Sequence, residues 1–243
     1  GKDVVSSTHP FSSYWFEWPI MYRPIWYYSN SLDNGIRQGI SAFGNPAVWW
    51  VGIGAVAYCL AHAIIIPLRN KNYFGHNKNV FAVLYAVFAV IICVITYIIG
   101  NGNDNLVRMF PSVLMYVVMF VGVFAIVITN DDKMMQTSNL IPLFLLIGYF
   151  SGYMPWMLVI RTTYIYHYFP CIIFVVLMIV YSIKCIYENA DNKRAVIISA
   201  VVYGVIAVGL FVMFYPVISG QPVNVDFVNK YLRWFDSWVL VAQ

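Results

Sequence analysis

The chain has 243 residues, of which 61% are hydrophobic, 18% aromatic and only 10% charged, with a formal net charge of +4. An ordinary soluble domain is about 25% charged, and one of this length still leaves about a quarter of its chain surface in water. That apolar excess excludes soluble, disordered, disulfide-scaffold and collagen-like classes and points to an integral membrane protein; the small charge, spread along the chain, signals no nucleic-acid partner.

In chain order, residues 1–45 come first. They open on Gly1-Lys2-Asp3 with no start Met, charged n-region or apolar h-region, which reads as a piece beginning partway through a longer protein. The segment is dense in rings: Tyr14, Trp15, Phe16, Trp18, Tyr22, Trp26, Tyr27 and Tyr28. Tyr and Trp prefer the headgroup layer, where a ring is half apolar and half wet. The expectation is a re-entrant or interfacial helix lying along the membrane.

A membrane helix needs about 20 apolar residues, at a rise of 1.5 Å each across roughly 30 Å of hydrocarbon. Six runs whose centres carry no Asp, Glu, Lys or Arg predict spans near 46–68, 79–100, 108–129, 139–158, 166–186 and 195–217. The separators RNKNYFGHNKN, NGNDN, NDDK and ENADNKR are polar and turn-like. The runs are apolar on all faces, unlike the alternating strands of a barrel. In the tail, 221–243, Val228, Tyr231, Leu232, Phe235 and Val239 recur at helical spacing, with Lys230, Arg233 and Asp236 on other faces. This predicts an amphipathic interfacial helix. The fold class is therefore an all-α integral membrane protein, a polytopic helical bundle of six transmembrane helices (46–220) between aromatic interfacial segments at 1–45 and 221–243.

Orientation follows from Lys and Arg near the span ends. The odd internal loops carry Arg69, Lys71, Lys78, Lys133, Lys184, Lys193 and Arg194, the even ones only Arg108 and Arg161. The odd loops are thus expected in the cytoplasm, with both ends of the chain and the turn around 155–168 on one outer surface.

Metal and soluble-enzyme motifs are missing: no HExxH, no Cys/His ligand cluster, no phosphate-cradling Gly loop and no GxSxG. Cys59, Cys93, Cys171 and Cys185 lie in apolar runs without a CxxC pair, so neither a disulfide nor a metal site is expected. The Gly148-xxx-Gly152 pair reads as close helix packing, and His62, deep in the first span, as a side chain satisfied by a neighbouring carbonyl. Two polar clusters remain, HPFSSYWFEWP (9–19) and PWMLVIRTTYIYHYFP (155–170). Arg161 and His167 sit in a very short connection between spans, at or just below the membrane surface. Arg161 either snorkels to ordinary headgroups or offers its planar fork to a lipid phosphate; His167 either bonds a neighbouring helix or adds a donor.

The runs HPFSSYWFEWPIMYRPIWYY (9–28), FGNPAVWW (43–50) and GYFSGYMPWMLVIRTTYIYHYFP (148–170), followed by YLRWFDSW (231–238), resemble the C-terminal four-helix-type membrane region of the protein O-mannosyltransferase family, with the YHYFP wording of its bacterial branch. Spans near 79–130 look like an added hairpin relative to the shorter eukaryotic pattern. The resemblance implies a multi-pass glycosyltransferase of GT-C architecture in the plasma membrane. Such an enzyme takes mannose from polyprenyl-phosphate-mannose, without metal or other cofactor, and transfers it to Ser/Thr hydroxyls of exported proteins. It implies a general base in an N-terminal half, with Glu17 a weaker candidate, and expects this piece to be inactive alone. It casts Arg161, with His167 and Tyr166, as contacts of the carrier phosphate, and His9, Glu17 and Trp18 as shaping the acceptor or sugar pocket, Trp18 by stacking on a sugar face. The rival readings are a GT-C relative that moves another sugar or uses a lipid acceptor, and a non-catalytic membrane scaffold. A transporter is disfavoured, because no span centre carries a charge.

Overall fold

A computed structural model describes residues 10–32, 35–65, 140–159 and 162–241. The predicted spans near 79–100 and 108–129, and the site candidates His9 and Arg161, lie outside the described residues. The described part is mostly helical. Helix α1, Pro46–Leu60, starts where Pro46 presets the first turn and the Asn45 side chain accepts from the Ala47 N–H. It continues as a wider π-type turn, Ala61–Ile65. Helix α2, Leu140–Tyr153, gives way at Pro155 to a tight 3-10 stretch, Met154–Leu158. A second 3-10 turn, Ile165–Tyr168, leads into α3, Phe169–Asn189. Helix α4, Lys193–Ser219, is capped by the Asn192 side chain and ends at Gly220, whose φ of 76° is the left-handed stop that glycine adopts without strain.

Among the described residues, three helices are long and apolar enough to cross a membrane, Pro46–Ala63, Ile165–Asn189 and Lys193–Ser219, with a shorter apolar helix over Ile141–Trp156. Their packing relies on missing side chains. A Cβ at Gly52 would run into Val175, and one at Gly148 into the Phe174 ring. At Gly152 it would stand 3.1 Å from the Cys171 sulfur. The glycine pair therefore brings α2 onto α3, as expected of small residues at a membrane helix contact. His62 is buried, its ring 5.9 Å from that of Tyr181 on α3.

The all-α expectation needs one correction. Residues Ile25–Ser31 (β1) and Ile36–Ala42 (β2) form an antiparallel hairpin, not an interfacial helix, and Val223–Asn224 (β3) pairs with β2 to make a three-stranded sheet, β1-β2-β3. The reason is local: β1 is a run of aromatic and β-favouring residues, and Gly35 holds φ 73°, a left-handed conformation that glycine adopts in a turn without strain. A register shift between Trp26 and Tyr28 makes Tyr27 a bulge. Chain-terminal residues then cross the sheet at Gly39, where a Cβ would come within 2.8 Å of the Leu240 carbonyl oxygen.

The tail helix also differs from expectation. After a π-type turn, Val228–Leu232, the chain turns irregular. Val228 and Leu232 are buried, but Tyr231 and Phe235 are exposed, and the buried set resumes at Trp238, Leu240 and Val241. Packing on the hairpin overrides helical period here: Ser41 Oγ donates to the Leu240 carbonyl at 3.1 Å.

Candidate functional site

Segments 10–32, 35–45, 154–159, 162–168 and 220–241 meet at one end of the helices, and specific hydrogen bonds hold them there. Ser13 and Thr163 form a two-way clamp: the Ser13 N–H donates to the Thr163 carbonyl at 2.9 Å, and the Thr163 hydroxyl donates to the Ser13 carbonyl at 2.7 Å. Both residues are buried. The Ser13 hydroxyl in turn accepts from the Trp18 indole N–H at 3.0 Å. Arg23 donates to the Ser12 carbonyl at 3.2 Å, bracing the same strand of chain. Tyr153, at the end of α2, donates to the Trp15 carbonyl at 2.9 Å.

Beneath this clamp, residues 18–22 form a buried turn with Met21 at φ 57°, a conformation that side chains rarely adopt. A buried irregular turn must find a partner for each carbonyl. The Met21 N–H donates to Trp18 O at 2.9 Å, and Trp49 also donates to Trp18 O at 3.1 Å, Trp50 to Ile20 O at 3.0 Å and Trp238 to Met21 O at 2.8 Å, while the Ser237 hydroxyl donates to Tyr22 O. Three indoles from α1 and the tail therefore fix the turn that carries Glu17 and Trp18.

The site candidates fall into three groups. His167 is half-buried and stacks on Trp156, ring centroids 3.8 Å apart at 25°, with the Tyr166 ring at 4.3 Å and the Trp18 ring at 5.9 Å. Stacking fixes the plane of the imidazole, whose rim carries its two nitrogens. Tyr166 is exposed beside it. Trp18 and Glu17 behave differently. Trp18 is fully buried among Tyr153, Trp156 and His167, so it has no face to offer a sugar ring and supports Trp156 and His167 from below. Glu17, 3% exposed, turns its carboxylate back onto the Tyr14 N–H at 2.8 Å. Such a satisfied buried carboxylate caps a turn; it does not reach for an acceptor proton. His9 and Arg161, outside the described residues, complete the set.

Several residues that matter here escape sequence reasoning. Trp156 and Thr163 stand inside one of the polar clusters, but nothing in spacing reveals that one stacks on His167 and the other clamps Ser13. By composition Tyr27 is one more interfacial ring; in the fold its ring lies 6.5 Å from Tyr166. Partial burial, and the neighbouring Tyr166, raise the Tyr27 hydroxyl above the ordinary tyrosine pKa, so it stays a protonated donor. Among the described residues, no group of three or more His, Cys, Asp and Glu is placed to hold a metal ion.

Comparison with known proteins gives the arrangement a context. The family profile for the C-terminal four TMM region of protein-O-mannosyltransferase matches residues 2–122 and 97–238. Dolichyl-phosphate-mannose--protein mannosyltransferase 5 of Candida albicans is 33% identical over 94 residues, which is 38% of this chain and 12% of that relative. This chain thus spans a small part of the curated relative it matches. No solved structure matches it.

Proposed function

The chain belongs to the protein O-mannosyltransferase family, and from that premise we propose that it forms the C-terminal membrane part of an enzyme that transfers mannose from a lipid-phosphate carrier to Ser/Thr hydroxyls of exported proteins. The bacterial-type YHYFP wording favours polyprenyl-phosphate-mannose as donor. In the reaction an acceptor hydroxyl attacks the sugar carbon with inversion, its proton passes to a base, and the bond to the carrier phosphate breaks. That base is assigned to the family's N-terminal half, on a GT-C scaffold.

The present chain serves the leaving group. As the bond breaks, negative charge grows on the carrier phosphate, and fixed donors placed where that charge develops stabilise it. Arg161 supplies a bidentate fork, with the His167 rim and the Tyr166 hydroxyl as supporting donors. Glu17, Trp18 and His9 shape the pocket wall, Trp18 by packing against Trp156 and His167. The observation that carries this reading is the mutual clamp of Ser13 and Thr163, which folds the two family-like runs, 9–28 and 148–170, onto each other at one end of the helices. On this reading that end faces outside the plasma membrane, in a multi-pass protein with both ends of the chain outside.

The test uses membranes from cells expressing the full-length protein, supplied with polyprenyl-phosphate-mannose and a Ser/Thr-rich peptide. Loss of one charge-stabilising donor costs on the order of 10²–10³ in rate, so Arg161→Ala is expected to depress transfer by that factor, and His167→Ala by less. Transfer that ignores Arg161→Ala would remove the phosphate role while keeping the enzyme class. No transfer to any hydroxyl peptide, from protein shown to be folded, would overturn the reading.

A further inference from the structure

A row of tyrosines runs from the His167 stack to the hairpin. The Tyr164 and Tyr166 rings are stacked, 5.6 Å apart at 14°, and Tyr27 on β1 continues the row at 6.5 Å from Tyr166 and 35°. Tyr166 itself touches His167 at 4.3 Å. Tyr27 and Tyr166 are 57% and 37% exposed, so the row is open to the outside even though its rings engage one another. Beyond Tyr27, β1 runs on through uncharged polar residues, Asn30 and Ser31, both exposed.

We propose that this row, Tyr164-Tyr166-Tyr27, is the docking strip for the acceptor polypeptide, which lies across it in an extended or polyproline-II conformation and brings a hydroxyl side chain beside His167, which flanks the middle ring, Tyr166. The inference rests on the protein-acceptor reading above and adds where that acceptor binds. Three features single out a polypeptide. Ring-to-ring steps of 5.6 and 6.5 Å are close to the two-residue repeat of an extended chain, about 6.2 Å in polyproline II and about 6.6 Å in a strand. Rings that turn toward one another present their rims to a chain lying across them; a sugar would need an open face. Tyrosines also give large contact area at low entropic cost, and aromatic-lined surfaces are an established way to hold extended, Pro-rich chains. Such contacts read backbone shape more than sequence, as an enzyme acting on hydroxyls in many contexts requires. Tyrosines that anchor in lipid headgroups have no need to converge into one row flanked by a stacked histidine.

The test takes the full-length protein in membranes with two readouts: binding of a fluorescent Ser/Thr/Pro-rich peptide, and steady-state transfer with peptide and donor varied separately. Truncating a recognition aromatic weakens binding by about tenfold, so Tyr27→Ala is expected to raise both peptide Kd and acceptor KM by that factor while donor KM holds. Tyr164→Ala should act in the same direction. Tyr27→Phe keeps the ring and should bind within about twofold of wild type, which separates contact loss from misfolding. Unchanged peptide Kd in both alanine variants would overturn the proposal, as would a wild-type protein that does not bind the peptide. So would peptide affinity that holds while adsorption to phosphatidylcholine vesicles falls, since the row would then be a headgroup anchor. Peptide binding that depends on Tyr27, in a protein that transfers no mannose, would leave the docking strip standing and remove the transferase reading.

Discussion

The aromatic-rich segments at one end of the helices (10–32, 35–45, 154–159, 162–168 and 220–241), the aromatic cap, and helix α4 both carry many large apolar side chains, yet they are organised in opposite ways. In the cap, Trp18, Met21, Leu232, Trp238 and Leu240 are almost wholly buried, and indole donors satisfy one backbone carbonyl after another. Along α4 only Phe214 and Val217 are buried, while Val201, Val205, Val208 and Val212 are more than half exposed. The difference follows from the solvent each region meets. In hydrocarbon, lipid tails are as apolar as valine, so nothing drives α4 to hide its faces, and its helix already satisfies its own backbone. At the surface, exposing aromatic area to water is costly, and an irregular chain must find a partner for every buried carbonyl. The cap is therefore a tightly specified fold within a membrane protein, whereas α4 is specified mainly by being helical and apolar.

That contrast can be broken most strongly at Trp238. Trp238→Ala removes a buried indole, about 3–5 kcal/mol, and leaves the Met21 carbonyl without its indole donor. We expect a large drop in the midpoint of thermal unfolding of the detergent-solubilised full-length protein. The matching truncation on α4, Val205→Ala, should leave that midpoint within error. A comparable drop from both would mean that α4 is packed in the intact protein.

The glycines sharpen the comparison at intermediate size. Gly148→Leu must displace the Phe174 ring, and overpacking of this kind costs about 1–3 kcal/mol. Gly204→Leu on α4 meets open space and is expected to be silent. The smallest expected effect is at the clamp. Thr163→Val removes the hydroxyl donor to the Ser13 carbonyl, about 1 kcal/mol. Its readout is faster hydrogen exchange of the Ser13 amide, whose acceptor, the Thr163 carbonyl, is then less well held; unchanged exchange would show that the backbone bond alone holds the clamp.

Much of the helical frame is legible in the sequence itself. The starts of α1, α3 and α4, at Pro46, Phe169 and Lys193, lie within three residues of the predicted 46, 166 and 195, because proline and asparagine mark them, whereas α1 ends at Leu60, short of the expected 68. Helix packing at Gly148 and Gly152 can be read from spacing. The hairpin is also encoded, in Asn34-Gly35 and the β-favouring run ahead of it, but the density of Trp and Tyr invites an interfacial helix in its place. For the site, sequence puts His167 and Tyr166 in a surface turn. It does not reveal that Trp156 stacks on the imidazole or that Tyr27, more than a hundred positions away, extends the tyrosine row.

Sequence alone determined that this is a membrane protein with long apolar helices, since a helix in hydrocarbon satisfies its own backbone and needs only length and apolarity. Tertiary structure decided which aromatic rings are buried supports and which are presented. Trp18 and Tyr27 are the same kind of residue to a hydropathy count, yet one is fully buried under His167 and the other is 57% exposed beside Tyr166. Burial of a ring, and the partner of its polar edge, depend on contacts between segments far apart in the chain, and those carry no local period to read.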